Sequence, residues 1–338
     1  MKKKSNVKMR RVALILVAGA FAGLLAGCGG SKEAPEPSPT VKEAVTNEGE
    51  KSEFKFENLP DLLLRGEYET IYNHAAQAFK DEISLADFSA LVGDFSKGVD
   101  SLKQSSILKL NGMELRSWTA PDGKKGLIAL IDASNEINSL QVRPLDVYPE
   151  TDAQLTKVAY EPPFKGDWYV YWGGINALVN YHYEYPGQRY AYDIIKVKDE
   201  KSYNGDPLKN ESYYAFNQDA FAPADGVVVK VINDIPDNEP VGVANEKAPE
   251  GNVVVIDHGG EYSFIAHMKK GTIIVKEGDK VKTGDLLGKT GNSGNSSEAH
   301  LHFQVSNGPD LFDGSHAIRV KWKNNIEDSQ GHTISGGE

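Results

Sequence analysis

His300 and His302 stand one residue apart in Ala299-His300-Leu301-His302-Phe303, close behind the glycine-rich stretch Gly291-Asn292-Ser293-Gly294. On a β-strand side chains alternate faces, so both imidazoles would point one way and Leu301 and Phe303 the other. Such a strand can give one imidazole to a metal ion and leave the second beside it for the reacting species. Asp193 and His267 upstream complete the residue types of a metal centre. Alone, the pair would also suit a half-buried strand whose polar face happens to carry two histidines, so the surrounding elements must decide.

The chain has 338 residues, 40% of them hydrophobic, enough for one large or two ordinary domains. At its start, Lys2, Lys3, Lys4, Lys8, Arg10 and Arg11 precede an apolar run from Val12 to Ala26. That run is too short for a comfortable membrane span and reads as a secretory signal over residues 1–27. It ends in Leu25-Ala26-Gly27-Cys28, which resembles the bacterial lipobox. The resemblance implies a lipid on Cys28 and an anchored protein on the outer face of the cytoplasmic membrane. Cys28 is the only cysteine, so no internal disulfide can form. Loss of residues 1–27 takes six basic and no acidic residues from a net charge of −11, leaving −17. An acidic balance of that size argues against nucleic acid as a partner. Residues 28–53 are rich in Glu, Lys, Pro, Ser and Thr and read as a disordered tether.

Residues 54–149 read as a small α+β accessory unit. Leu62, Leu63, Tyr68, Ile71, Tyr72, Ala75, Ala78 and Phe79 recur at roughly helical spacing, and Ser84-Leu85-Ala86-Asp87 is a capping-box-like start for a second helix. Three strand-like runs follow, Ile107 to Trp118, Leu127 to Ile131 and Ile137 to Val142, with Asp122-Gly123 as a turn. The order and size resemble the cone-shaped, cystatin-like domains of secreted bacterial proteins. After a connector over 150–163, residues 164–326 show short apolar strands between glycine turns, the pattern of an all-β sandwich; residues 327–338 read as a tail.

The motifs of this second unit run in order: Phe221-Ala222-Pro223-Ala224-Asp225-Gly226, Gly251-Asn252-Val253-Val254-Val255-Ile256-Asp257-His258-Gly259, Phe264-Ile265-Ala266-His267, Val275 to Gly288, and the histidine pair. They resemble the lysostaphin or LytM-type zinc endopeptidases. The resemblance implies a two-sheet β groove that hydrolyses peptide bonds in peptidoglycan stems or cross-bridges, with zinc as cofactor. It further implies that Asp193 and His302 bind the metal, while His267 and His300 face the substrate and the attacking water. The family pattern also has a histidine four positions before the aspartate, where this chain has Arg189. A guanidinium offers five donors and no lone pair, so it cannot replace that ligand.

A substitute lies nearby. Tyr181 to Ile195 reads as two aromatic-rich strands around a type II turn at Tyr185-Pro186-Gly187-Gln188. If Tyr185 pairs with Gln188, His182 falls opposite Ala191 and diagonal to Asp193 on the same face. His182 is therefore the expected third ligand, and Arg189 could orient a substrate carboxylate or pair with Asp193. The departure at 189 leaves another reading open, a catalytically silent protein of this fold that binds the wall or regulates another hydrolase. Biotinyl or lipoyl carrier domains share the Ala222 to Gly226 and Val275 to Gly288 patterns, yet no Met-Lys-Met turn follows and the histidine pair has no use in a carrier. His74, His316 and His332 lack supporting motifs, and His258 reads as shaping a turn. Trp168, Tyr169, Tyr171 and Trp172 read mainly as packing between the two units, with lining of a groove entrance as the alternative.

Overall fold

The computed structural model describes residues 54–312, 314–324 and 326–337. The candidate signal segment, Cys28 and nearly all of the tether lie outside them. The first unit opens with four short helices, α1 (Leu59–Arg65), α2 (Tyr68–Asn73), α3 (Gln77–Glu82) and α4 (Leu85–Ser96). Ser84 caps α4: its hydroxyl oxygen accepts from the Asp87 backbone N–H at 3.1 Å and its O–H donates to the Asp87 carboxylate, fixing the helix start where the capping signal places it.

An antiparallel meander of β1 (Lys103–Leu110), β2 (Met113–Thr119), β3 (Lys125–Asp132) and β4 (Ile137–Pro144) follows, paired in chain order. The run from Ile107 to Trp118 is two strands, not one. Asn111 and Gly112 take φ of 53° and 81°, a two-residue turn whose twist matches the flanking strands. Along β3, Leu127, Ala129 and Ile131 pack with helix residues Leu62, Leu63, Phe79 and Phe88. The alternate residues Ile128 and Leu130 pack instead with Leu178 and Ile195 of the second unit. The meander is thus a middle layer with two apolar faces, which is why β3 reads as an unbroken apolar run. The two units touch closely: a Cβ on Gly126 would stand 2.4 Å from the Leu178 side chain.

The second unit contributes β5 (Leu155–Tyr160), β6 (Gly166–Trp172), β7 (Tyr192–Ile195), β8 (Asp219–Phe221), β9 (Gly226–Ile232), β10 (Asn252–Asp257), β11 (Tyr262–Met268), β12 (Lys280–Val281), β13 (Leu286–Lys289), β14 (Leu301–Ser306), β15 (Ala317–Trp322) and β16 (Thr333–Gly336). Ten of these form one sheet with the path β12-β9-β10-β11-β14-β7-β6-β16, while β15 joins β14 and β5 at its side. β8 and β13 make a separate two-stranded sheet. The architecture is mainly β behind a small α+β unit, as the sequence pattern implies. β5 and β16 fall in the stretches read as connector and tail, so both ends of this unit are stitched into the large sheet.

One local expectation fails. Tyr181–Glu184 is a 3₁₀ turn, and only Tyr192–Ile195 is a strand. Asn180 causes this: its side-chain oxygen accepts the His182 backbone N–H at 3.1 Å, and its amide donates to the carbonyls of Gly174, Arg189 and Ala191. The turn at Tyr185 to Gln188 does close, with Gln188 N–H donating to Tyr185 O at 2.9 Å, but Gly187 does not take the positive φ of a type II turn.

Candidate metal centre

Strand register assembles the first two donors. β14 runs antiparallel to β7 with His302 directly opposite Asp193, while Leu301 and Phe303 enter the main apolar core. His302 Nδ1 lies 2.8 Å from Asp193 Oδ1. His182 arrives on its 3₁₀ turn and places Nε2 3.1 Å from the other carboxylate oxygen, Oδ2. The residue foreseen is thus brought to the site by a different local structure from the hairpin foreseen. The ligand atoms of His182, Asp193 and His302 all lie within 4.8 Å of one another, and the three side chains are buried.

The outer nitrogen of each histidine is already committed. His182 Nδ1 meets Gln188 Oε1 at 3.0 Å, and His302 Nε2 meets Gln304 Oε1 at 3.1 Å. The Gln304 amide group donates to Gly187 O and Ser306 Oγ, both at 2.8 Å, so its oxygen must face His302. An amide oxygen only accepts, so His302 donates from Nε2, and His182 from Nδ1 in the orientation Gln188 takes here, which leaves the inward nitrogens as the ones a metal would take. The two imidazoles and the carboxylate converge, and among the described residues no lysine or arginine is a hydrogen-bonding or ion-pair partner of theirs. That N, N, O set fits a divalent cation of the zinc type, and the glutamine contacts are of the kind that orient metal-binding histidines. Burial would raise the Asp193 pKa, but His182 and His300 outweigh it and hold the carboxyl well below its usual range.

His267 and His300 flank this cluster, with ring centroids 4.7 Å apart, and His267 is 5.6 Å from the His302 ring. Simple alternation would put His267 on the wrong face, because its neighbour Ala266 already pairs with His302. Between Ile265 and Met268 strand β11 spends one residue more than β10, and His267 takes a left-handed φ of 57°. The bulge turns the side chain back into the site, a use of irregular backbone that the sequence pattern does not reveal. His267 Nδ1 lies 2.8 Å from Ser293 O, and His300 Nδ1 lies 2.9 Å from Glu298 O. Both therefore donate from Nδ1; His267 keeps Nε2 as a lone pair, while His300 Nε2 stands 3.5 Å from Asp193 Oδ1, which favours a proton on it. Burial, with His300 and His302 adjacent, holds His267 well below the ordinary histidine pKa. Burial works against charge on His300 too, but Asp193 outweighs it and the pKa is raised.

Arg189 does not join the cluster. Its guanidinium lies 3.5 Å over the Tyr148 ring, and its Nε donates to Tyr183 O, so the expected pairing with Asp193 is replaced by an anchoring role between the units. Tyr181, which the sequence did not single out, does join: its ring centroid is 3.9 Å from that of His182 and its hydroxyl donates to Asp193 Oδ2 at 3.4 Å. Two clefts open on either side of it. One, about 380 Å³, is lined by His182, His267, His302 and Phe312; the other, about 480 Å³, by Asp193, His300, Trp172 and Ile128. Trp172 and Tyr171 thus reach a groove, whereas Trp168 is core and Tyr169 packs between the units. His258 holds a turn, bonded to Asp225 O and Ser263 Oγ. His74, His316 and His332 bond elsewhere, to Thr70 O, Gly314 O and Glu327 respectively.

The fold and cluster define a β-sheet protein with a buried histidine-carboxylate centre open to two clefts. Residues 213–314 match the family model Peptidase family M23, and the resemblance to the lysostaphin/LytM-type peptidases holds over this stretch. It contains His267, His300 and His302 but neither His182 nor Asp193. The chain is 43% identical over 56 residues to "Peptidoglycan DD-endopeptidase ShyA" of Vibrio cholerae, covering 16% of this chain and 13% of that protein. It is 36% identical over 84 residues to an "Uncharacterized metalloprotease" of Haemophilus influenzae, covering 25% and 15%. The catalytic domain of lysostaphin from Staphylococcus simulans is similar at 22% identity and a TM-score of 0.23, over 35% of this chain and 84% of that one. The chain therefore spans well under a fifth of the length of these curated relatives.

Proposed function

We propose that this protein is a zinc-dependent peptidase that hydrolyses peptide bonds of peptidoglycan, secreted and held by a lipid on Cys28 at the outer face of the cytoplasmic membrane. The observation that carries the reading is the convergence of His182 Nε2, His302 Nδ1 and both Asp193 oxygens, with a glutamine on the outer nitrogen of each imidazole. The M23 match and the relatives that bear peptidase names support the reaction class. Zinc held by these three residues would polarise the scissile carbonyl and acidify a water molecule.

The remaining chemistry falls to this chain's own side chains. His267 and His300 each have Nδ1 backed by a backbone carbonyl and Nε2 directed into the site; neutral His267 has the arrangement of a general base, and His300, favoured in its charged form by Asp193, that of a proton donor. The Nε2 that takes the water's proton becomes a donor, able to stabilise the oxyanion and then to pass the proton to the leaving amine. The left-handed bulge at His267 holds the two rings side by side for that exchange. The buried donors are shielded from bulk water, which strengthens each of these contacts.

The test is zinc content of the mature protein after dialysis against metal-free buffer, wild type beside His182→Ala, with release of peptides from purified peptidoglycan measured in parallel. One equivalent in the wild type, lost in His182→Ala together with hydrolysis, is expected. A wild type without zinc would sink the proposal, and zinc retained by His182→Ala would remove His182 from the ligand set.

A further inference from the structure

Beside the metal centre one acid has no counterpart. Glu298, 4% exposed, has no hydrogen-bond partner for Oε1, and its Oε2 accepts only a long bond of 3.4 Å from Ser202 Oγ. Among the described residues no lysine, arginine or histidine forms an ion pair with it. Ser202 is itself held by Asn111, at the tip of the β1–β2 hairpin, whose side chain accepts its backbone N–H at 3.0 Å and donates to its hydroxyl at 3.1 Å. The accessory unit therefore helps to fix the acid's position. A buried, half-satisfied carboxyl group costs stability, and the burial pushes its pKa up to about 7.

Glu298 lines the cleft of about 480 Å³ that opens beside Asp193 and His300, and Ile128 and Gln141 of the meander form part of its wall. Tyr171, Trp172 and Tyr181 line it as well, packed edge to face with centroids 5.3 and 5.6 Å apart. A carboxylate among aromatic rings in a cleft of this size is the chemistry that receives an ammonium group: the rings attract the cation by their quadrupoles and the acid pairs with it. An anionic group would meet the acid's own charge, offset only by nearby His300. The aromatic row continues through Tyr181 onto His182, so a peptide seated here would pass next across the donor cluster.

We propose that this cleft, between the accessory unit and the β unit, is a subsite for a primary ammonium group on the peptide substrate, with Glu298 as its counterion. The inference rests on the peptidase reading for the word substrate, but the binding event is separable from catalysis. The probes are Nα-acetyl-lysine amide and Nα-acetyl-norleucine amide, alike except for the terminal amine, titrated by calorimetry into the full mature protein. The wild type is expected to bind the lysine amide about tenfold to a hundredfold more tightly than the norleucine amide, the range for a charged hydrogen bond in a buried site. Glu298→Gln, nearly isosteric, should abolish that preference. Trp172→Leu, which leaves the acid in place, should weaken the lysine amide several-fold.

Equal affinities for the two probes in the wild type, no measurable binding of the lysine amide, or a preference that survives Glu298→Gln would each overturn the proposal. Zinc content and peptidoglycan hydrolysis are read on the same samples. A zinc-free, inactive protein that still prefers the lysine amide would sink the peptidase reading and keep this one; a zinc-loaded, active enzyme without the preference would do the reverse.

Discussion

Replacing Gln304 by leucine should weaken zinc binding although Gln304 touches no metal. Its amide makes three contacts: Oε1 accepts from His302 Nε2 at 3.1 Å, and Nε2 donates to Gly187 O and Ser306 Oγ at 2.8 Å. Gly187 belongs to the turn that carries Gln188, which in turn orients His182. One side chain thus sets the tautomer of one ligand and braces the turn behind another. Loss of such an outer contact commonly costs ten- to a hundredfold in metal affinity, or about 1.4–2.7 kcal/mol. Leucine would also strand the buried imidazole N–H, at about 1–3 kcal/mol, and free the half-buried Gly187 carbonyl of its partner. The assay is competition with a zinc chelator of known affinity, beside thermal melting of the metal-free protein. Zinc affinity unchanged within twofold, in a variant that folds, would refute the reasoning from tautomer to ligand.

Three further outcomes follow from the geometry. His300→Ala should abolish hydrolysis and keep one zinc, whereas His302→Ala should lose both, as read by activity and metal content on the same preparations. Arg189→Lys should leave zinc content unchanged but lower stability by about 1–2 kcal/mol through its contact with Tyr148; loss of zinc would place the guanidinium in the site after all. For Glu298, the carboxyl's pKa is raised from 4.5 to about 7 in the folded state, so the folded protein binds the proton more tightly than the unfolded chain. Wild-type stability should therefore fall between about pH 4.5 and pH 7, and Glu298→Gln should gain on it by about 3 kcal/mol at pH 8 while matching it at pH 4; a stability gap that stays constant with pH in melting experiments would contradict this.

What could be read in the chain depended on whether a residue's role is set by local periodicity or by distant partners. The alternation of β14 and the motif order placed Asp193, His267, His300 and His302 together, and the Ser84 cap and the meander were visible in turn and capping chemistry. The two strands inside Ile107 to Trp118 were also legible, since Asn111-Gly112 is the dipeptide a tight hairpin turn prefers, and reading the run as one strand overlooked it. The bulge at His267 leaves no mark in an otherwise regular strand sequence. Gln188, Gln304 and Tyr181 carried no motif of their own. Gln304 could have been found, since it stands two residues after His302 on the same strand face, but what an amide does there depends on Gly187, more than a hundred residues away.

Arg189 stands where the resemblance implies a histidine, and the same loop shows what the arginine does instead. Residues 180–191 form one braced unit, because the Asn180 side chain reaches from its start to the carbonyls of Arg189 and Ala191 at its end. Both arms of such a loop lie close to β7, so an imidazole beside the carboxylate of Asp193 can come from either one. Here it comes from the first arm, where a 3₁₀ turn points His182 Nε2 at Oδ2. That frees position 189 on the second arm, and its guanidinium stacks on Tyr148 and bonds Tyr183 O. Tyr183 and Tyr190 in turn hold Asp152 through their hydroxyls, which ties the loop to the segment joining the two units. If the brace is what permits this arrangement, Asn180→Ala should lower zinc affinity as much as a change at His182 itself, because the first arm would lose the turn that aims its imidazole.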